Sequence, residues 1–377
     1  MTIRTALLSL LAFAPLACGA PAADTAKPEP AAAPAPVVKP AAKPIPDNFR
    51  ALTPQLTVKG VDAAVDFYTK AFAAKKVYSM PGPDGKAMHA EIMIGDSLVF
   101  IDEEMDGSKS PLTLGGSPAT LMLFVASADQ TYAAATTAGA KAGMPLEDQF
   151  WGDRYGEIVD PFGHHWAIGQ HLEDLTTEQT EQRAAIVFAA TAKKGKKAKP
   201  AKATKAPAAP AWKKIAGKPA TQAVPPGYHT VNLALTVDKA ADAIDFYKRA
   251  FGALEVERML TPDGKILHAV LEFGDSKLML SDEFPEMGGK SAKTLAGSPV
   301  AIHYYITDVD ATFAKATGAG AKSAMPLADM FWGDRYGAAI DPAGYTWGMA
   351  THKEDLTPEQ IAERMKAQMA AQAKPTT

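Results

Sequence analysis

Between residues 61 and 72 the apolar side chains fall at Val61, Ala64, Val65, Tyr68 and Phe72, the 3.6-residue stripe of a helix lying on a sheet. The same stripe returns at Ala240, Ala243, Ile244, Tyr247 and Phe251. An extended run, Leu52 to Val58, precedes the first stripe. Runs of strand character follow it near Lys76 to Met80, Met88 to Ile94 and Ser97 to Ile101. Pro83-Asp84-Gly85-Lys86 and Gly95-Asp96 supply the turns. This β-α-β-β-β order then recurs. Thr120 to Val125 predicts a strand, Ala128 to Ala138 a helix, and Lys141 to Met144, Tyr155 to Val159 and His165 to Ile168 three further strands, the last two joined at Asp160-Pro161-Phe162-Gly163. Thr176 with Gln179, and Thr357 with Gln360, have capping-box spacing, and Pro358 suits a first helical position.

The pattern is duplicated along the chain. Phe150-Trp151-Gly152-Asp153-Arg154-Tyr155-Gly156 is repeated as Phe331-Trp332-Gly333-Asp334-Arg335-Tyr336-Gly337. His268 follows His89 by 179 positions and Trp332 follows Trp151 by 181, so the second copy gains two residues in between. A repeat of domain size predicts two homologous domains, 49–188 and 227–370, in a chain of 377 residues.

Composition adds the ends and the connection. Arg4 and the apolar run Ala6 to Leu16 read as an export signal over 1–19, too short to span a bilayer. Leu16-Ala17-Cys18-Gly19 resembles a bacterial lipoprotein box with Cys18 as the acylated residue, although Pro15 stands where leucine is usual. An ordinary cleaved signal near Ala20 or Ala22 is the alternative. Cys18 is the only cysteine, so no intramolecular disulfide forms. Residues 20–48 are rich in Ala, Pro and Lys and read as a tether; 189–226 read as a solvated linker of similar composition. The expected location is the cell envelope, membrane-anchored, with a secreted or periplasmic soluble protein as the alternative. A net charge of −3 gives no nucleic-acid footprint.

Two β-α-β-β-β modules per domain, worded in this way, resemble the vicinal oxygen chelate superfamily (glyoxalase I, bleomycin-resistance protein, extradiol dioxygenases), and within it the PhnB-like branch. The resemblance rests on Asp66-Phe67-Tyr68, Ala71-Phe72, Asp84-Gly85-Lys86, His89-Ala90-Glu91, Gly95-Asp96-Ser97, the Phe150 to Gly156 run, Asp160-Pro161-Phe162-Gly163-His164 and Glu173-Asp174-Leu175. The second copy carries Asp245-Phe246-Tyr247, His268-Ala269, Gly274-Asp275-Ser276, Asp341-Pro342 and Glu354-Asp355-Leu356. It implies an α+β fold of two tandem domains, each of paired β-α-β-β-β modules forming a cupped mixed sheet. It also implies that the domains pair as an intramolecular pseudo-dimer with two unlike cups.

Metal-dependent members hold a divalent ion with one ligand from each of four strands. By motif spacing those positions fall on Thr53, Glu91, Thr120 and Ala167 in the first half, and on Asn232, Val270, Ala301 and Gly348 in the second. Only Glu91 is a good ligand, and Ala167 and Gly348 have no donor atom. No cofactor is therefore expected, with a non-standard divalent site at His89 and Glu91 as the exception. His89 and Glu91 share a strand face, opposite the apolar Met88, Ala90, Ile92 and Ile94, so both look into the cup. His89 is a candidate general base or ligand, oriented by Glu91. The alternative is a hydrogen-bonded histidine in a polar wall. His268 keeps the orientation without the carboxylate. His164 and His165 have Tyr345 and Thr346 as counterparts, which argues against a role common to both copies.

In the repeated run, Trp151 and Trp332 suit stacking on a planar ligand, Arg154 and Arg335 a carboxylate or phosphate, and Tyr155 and Tyr336 a pocket rim. The competing reading is structural: Asp153 and Arg154 fix the loop and Trp151 fills it. Three functions follow: a tethered protein binding a small organic ligand without metal chemistry, a lyase or isomerase using His89 and Glu91, or a non-binding envelope scaffold.

Overall fold

The computed structural model describes residues 42–194 and 210–372, apart from Pro83 and Asp106. Four modules follow one another. The first is β1 (Leu52–Val58), α1 (Val61–Phe72), β2 (Lys75–Pro81), β3 (Ala87–Ile94) and β4 (Ser97–Glu103). The second is α2 (Pro111–Leu114), β5 (Ala119–Phe124), α3 (Ala128–Thr137), β6 (Lys141–Ala142), β7 (Glu147–Asp148), β8 (Asp153–Val159), β9 (His165–His171), β10 (Glu173–Asp174) and α4 (Thr177–Lys194). The third is β11 (Lys218–Pro219), β12 (Val231–Val237), α5 (Ala240–Phe251), β13 (Leu254–Leu260), β14 (Ile266–Phe273) and β15 (Ser276–Asp282). The fourth is β16 (Val300–Tyr305), α6 (Val309–Gly318), β17 (Lys322–Asp329), β18 (Asp334–Ile340), β19 (Thr346–His352) and α7 (Pro358–Gln372).

The α+β class and the module order agree with the sequence pattern, and both capping boxes close, Thr176 N–H donating to Gln179 Oε1 at 2.9 Å and Thr357 N–H to Gln360 Oε1 at 2.8 Å. The strand expected over Lys141 to Met144 is shorter, ending at Ala142.

Strand pairing crosses the two sequence halves. One sheet runs β17-β18-β19-β16-β1-β4-β3-β2, and the other β13-β14-β15-β12-β5-β9-β8-β6. β1 pairs antiparallel with β16, Thr53 against His303, and β12 with β5, Asn232 against Met122. β1 and β5 are buried along almost their whole length, so each needs a neighbour on both edges. The neighbour comes from the other half. This regroups the strand positions assigned from sequence: Thr53 and Glu91 share a cup with Ala301 and Gly348, and Asn232 and Val270 share one with Thr120 and Ala167.

Reciprocal hydrogen bonds hold the crossing. Asp96 Oδ1 accepts from Thr230 N–H at 2.8 Å and Ser97 Oγ from Val231 N–H at 3.0 Å. Asp275 Oδ1 accepts from Ala51 N–H at 2.8 Å and Ser276 Oγ from Leu52 N–H at 3.1 Å. Each Gly-Asp-Ser turn thus caps the first strand of the other half, and Arg50 and His229 bridge Asp96 and Asp275. Gly95 packs against the Thr230 side chain so closely that an added Cβ would lie 2.2 Å from its hydroxyl oxygen. His164 and Tyr345 also serve one shared purpose, against the expectation from their different chemistry. His164 Nε2 lies 2.9 Å from Thr57 O, and Tyr345 hydroxyl donates to the equivalent Thr236 O at 2.9 Å.

The helices cover the outer faces and the core lies beneath them. Tyr68 hydroxyl and Trp166 Nε1 donate to buried Asp160 at 2.7 and 3.0 Å; Tyr247 and Trp347 do the same to Asp341 at 2.7 and 2.9 Å. These pairs account for the Asp-Phe-Tyr and Asp-Pro motifs structurally.

The end of the linker is docked, which corrects its reading as free coil up to residue 226. Trp212 is buried beneath the guanidinium of Arg183, 5.0 Å from its ring, and β11 pairs with β10. The signal, Cys18 and the tether as far as residue 41 lie outside the described residues.

Candidate functional site

The first cup is lined from both halves. On β3, Ala90, Ile92 and Ile94 face the core, which turns His89 and Glu91 into the cup as the alternation requires. The partner that orients His89 is Asp102 on β4, which sequence reasoning missed: His89 Nδ1 lies 2.6 Å from Asp102 Oδ1 and its Nε2 3.7 Å from Glu91 Oε1. Gln55 donates its side-chain amide to the other Asp102 oxygen. Burial opposes the imidazolium, but the hydrogen bond to Asp102 and the nearby charges of Asp102 and Glu91 raise the His89 pKa to about 9. His89 is therefore a proton donor at neutral pH. That favours the imidazolium over the free base that a general base requires.

Across the cup stands His303, also missed, although it lies two residues beyond Ala301 on the same strand face. It is 6% exposed, and its Nε2 has no hydrogen-bond partner among the described residues. Burial holds its pKa down to about 4, so the ring is neutral. Its ring stacks on Tyr336 at 5.7 Å and contacts Tyr305 at 4.6 Å and Phe100 at 5.3 Å. Phe100 is also 5.3 Å from His89 and stands between the imidazoles. Phe49, from the segment before β1, closes this end against Phe100 and Tyr305. At the other end the side chains of His89, Glu91 and Asp102 keep 21%, 23% and 20% of their exposure, so solvent reaches the polar group.

The second cup is more apolar at the three matching positions, although it carries Glu157, whose Oε1 accepts from the Tyr155 hydroxyl at 2.7 Å. Val270, Ser281 and Met122 stand where the first has Glu91, Asp102 and His303. Met122, Phe124, Ala167, Val270 and Met279 cluster there, with Val224 at the linker's end and Tyr228 just beyond it packed on them. The Tyr228 ring lies 5.5 Å from Phe124 and 4.5 Å beneath the Lys277 ammonium. His268 keeps its place on β14, but burial lowers its pKa and no carboxylate replaces Asp102. Val224 and Tyr228 thus occupy part of this cup.

The repeated run divides between the readings weighed for it. Arg154 and Arg335 face away from the cups, towards α3 and α6. Arg154 Nε and Nη2 both donate to Asp129 at 2.7 Å, and Nη1 to Asp148 at 3.0 Å. Arg335 does likewise to Asp310 at 2.6 Å and Asp329 at 3.3 Å. Their ligand-binding assignment is thus replaced by a structural one, because strand alternation puts them on the helix side. Tyr155 and Tyr336 do face the cups, one in each. Trp151 lies 5.4 Å from Tyr155, and Trp332 lies 5.7 Å from Tyr336, its Nε1 donating to Asp334 at 3.1 Å. Both tryptophans buttress the tyrosine. Gly152 has φ +99°, and a Cβ there would lie 2.5 Å from Glu173 O, so glycine is required.

At the strand positions that hold a divalent ion in metal-dependent relatives, the first cup offers Thr53, Glu91, Gly348 and Ala301, with His303 two residues on. Gly348 has no donor, Asp102 engages His89, and Phe100 separates the two imidazoles. Among the described residues no group of three or more His, Cys, Asp or Glu side chains is placed to hold a metal ion. The donor set does not fit the ion.

Residues 50–168 and 229–349 both match the family model of the Glyoxalase/Bleomycin resistance protein/Dioxygenase superfamily. An uncharacterized protein of Mycobacterium bovis is 43% identical over 136 residues, 35% of this chain and 90% of that protein. An uncharacterized protein of Arabidopsis thaliana is 34% identical over 135 residues, 34% of this chain and 80% of that one. Glyoxalase I from Zea mays superposes with a TM-score of 0.50 at 15% identity, over 86% of this chain and 97% of that structure, a likeness of fold. With both halves matched and the sheets paired as described, the chain belongs to the glyoxalase/bleomycin resistance protein/dioxygenase superfamily.

Proposed function

We propose that the chain binds a small organic ligand in the first cup and does so without the superfamily's metal chemistry. The observation that carries this reading is His303: a buried neutral imidazole with an unpartnered Nε2, facing a cup that also presents His89, Glu91 and Asp102. A buried polar atom without a partner costs about 1–3 kcal/mol, which a ligand's polar group would recover. The second cup, partly occupied by Val224 and Tyr228, serves as structure. A thermal-shift screen of small aromatic compounds tests the reading. Hits whose shift disappears in His303→Phe support it; a screen without hits, or hits indifferent to that substitution, count against it.

The export and lipid-anchor expectation belongs to the same proposal and rests on the sequence around Cys18. Intact-mass analysis of the mature N-terminus tests it: a diacylated Cys18 supports the anchor, and an unmodified N-terminus upstream of it overturns it.

A further inference from the structure

The polar end of the first cup has more carboxylates than cations. His89 is held by Asp102 at 2.6 Å and approached by Glu91 at 3.7 Å, so one imidazolium faces two carboxylates. Asp102 is satisfied twice over, by His89 and by the Gln55 amide. Glu91 has only the longer contact with His89 and remains 23% exposed at the open end. His303 is neutral, and Tyr78, Tyr305 and Tyr336, whose hydroxyls are held protonated, add no positive charge either. Deprotonating His89 would make the cup more negative still. The groups packed around this end are aromatic. Tyr78 on β2 is register-paired with Glu91 and lies 6.3 Å from the His89 ring, and Phe100 lies 5.3 Å from it. Carboxylates beside aromatic faces repel anions and attract cations, through direct charge and through the ring quadrupoles. His303 Nε2 adds one buried polar contact at the inner end.

We infer that the ligand is an organic cation, a protonated amine or amidine on a compact aromatic or aliphatic frame, with Glu91 as its charge partner and Tyr78 and Phe100 as the walls around its charged end. The inference rests on the first cup being the ligand site. The amine docks at Glu91 from the open side, and its frame lies against the rings of Tyr78 and Phe100. Anionic analogues of the same size meet an uncompensated carboxylate and are rejected.

Calorimetric titration of the full chain at neutral pH with benzylamine, benzyl alcohol and phenylacetate tests it. Benzylamine is expected to bind at least about tenfold more tightly than benzyl alcohol, a difference that a charge-assisted hydrogen bond and cation–π contact supply. Glu91→Gln, nearly isosteric at a position only 23% exposed, should erase that preference. Asp263→Asn, which removes an equal charge at a distant exposed turn, should leave it intact. Equal affinity for the amine and the alcohol, or tighter binding of phenylacetate, would overturn the cation inference and leave the first cup as a ligand site. An amine preference that survives Glu91→Gln also overturns it. Absence of binding by all three compounds overturns both readings together.

Discussion

Thr53 on β1 is register-paired with His303 on β16, so the imidazole that completes the first cup comes from the opposite half of the chain. Neither half can build a cup alone, because its two sheet modules pair elsewhere.

The chain should therefore unfold in a single transition. Chemical denaturation followed by tryptophan fluorescence and by circular dichroism is expected to give coincident curves. Two separated transitions, one per half, would contradict the crossed sheets. Asp96→Ala should lower stability by about 1–3 kcal/mol, since it strips acceptors from Thr230 N–H and His229. Hydrogen bonds from Thr230, His229 and Ser97 outweigh burial and hold the Asp96 carboxyl well below its usual range. Its contribution is thus present above the ordinary carboxylate pKa and lost only as the pH falls through the depressed one.

The His89–Asp102 pair carries the opposite pH sign. His89 is raised from 6.5 to about 9, so its contribution is full below about pH 6.5 and is lost as the pH rises through about 9. Comparing wild type with His89→Gln across this window should show a difference on the order of 2 kcal/mol that shrinks with rising pH. Nuclear magnetic resonance titration of the His89 ring should report the raised pKa, and Asp102→Asn should bring it back towards 6.5. An unshifted wild-type titration would remove the basis for His89 as a proton donor.

His303→Phe should stabilise the ligand-free protein or leave it unchanged, because it replaces an unpartnered buried nitrogen with an apolar ring among Phe100, Tyr305 and Tyr336. Thermal unfolding checks this. A fall of several degrees would mean that the imidazole is already satisfied within the fold.

Arg154→Ala and Arg335→Ala should leave ligand binding untouched. Each breaks an exposed ion-pair group at the surface, which solvent screens, so little stability is expected to be lost. Loss of affinity without loss of stability would return these arginines to the ligand-binding role.

Gly348→Ala should weaken the first cup from below. A Cβ there would lie 2.6 Å from the Tyr336 hydroxyl oxygen, in a ring stacked on His303. The expected cost is ~1–3 kcal/mol, with reduced affinity for any compound bound in that cup. Unchanged melting and binding would show that Tyr336 moves freely.

Much of the fold was legible because its signals are local. The stripes at Val61 to Phe72 and Ala240 to Phe251, the Asp-Gly turns and the capping boxes each depend on residues a few positions apart. Strand alternation correctly turned His89 and Glu91 into a cup. It could equally have turned Arg154 away from one, since Arg154 and Tyr155 are adjacent on β8 and must point to opposite faces. Asp102 and His303 escaped notice because neither belongs to a motif, and their value comes from what they meet across strands.

The four modules, their duplication and the superfamily resemblance can all be read along the chain, since hydrophobic period and turn chemistry are written within each module. Which modules share a sheet is settled only once the chain has folded. Strand partners are chosen by edges buried far apart in the chain, and here the Gly-Asp-Ser turns clamp each half to the other. That choice placed His303 opposite His89 in one cup and packed Tyr228 against Phe124 in the other.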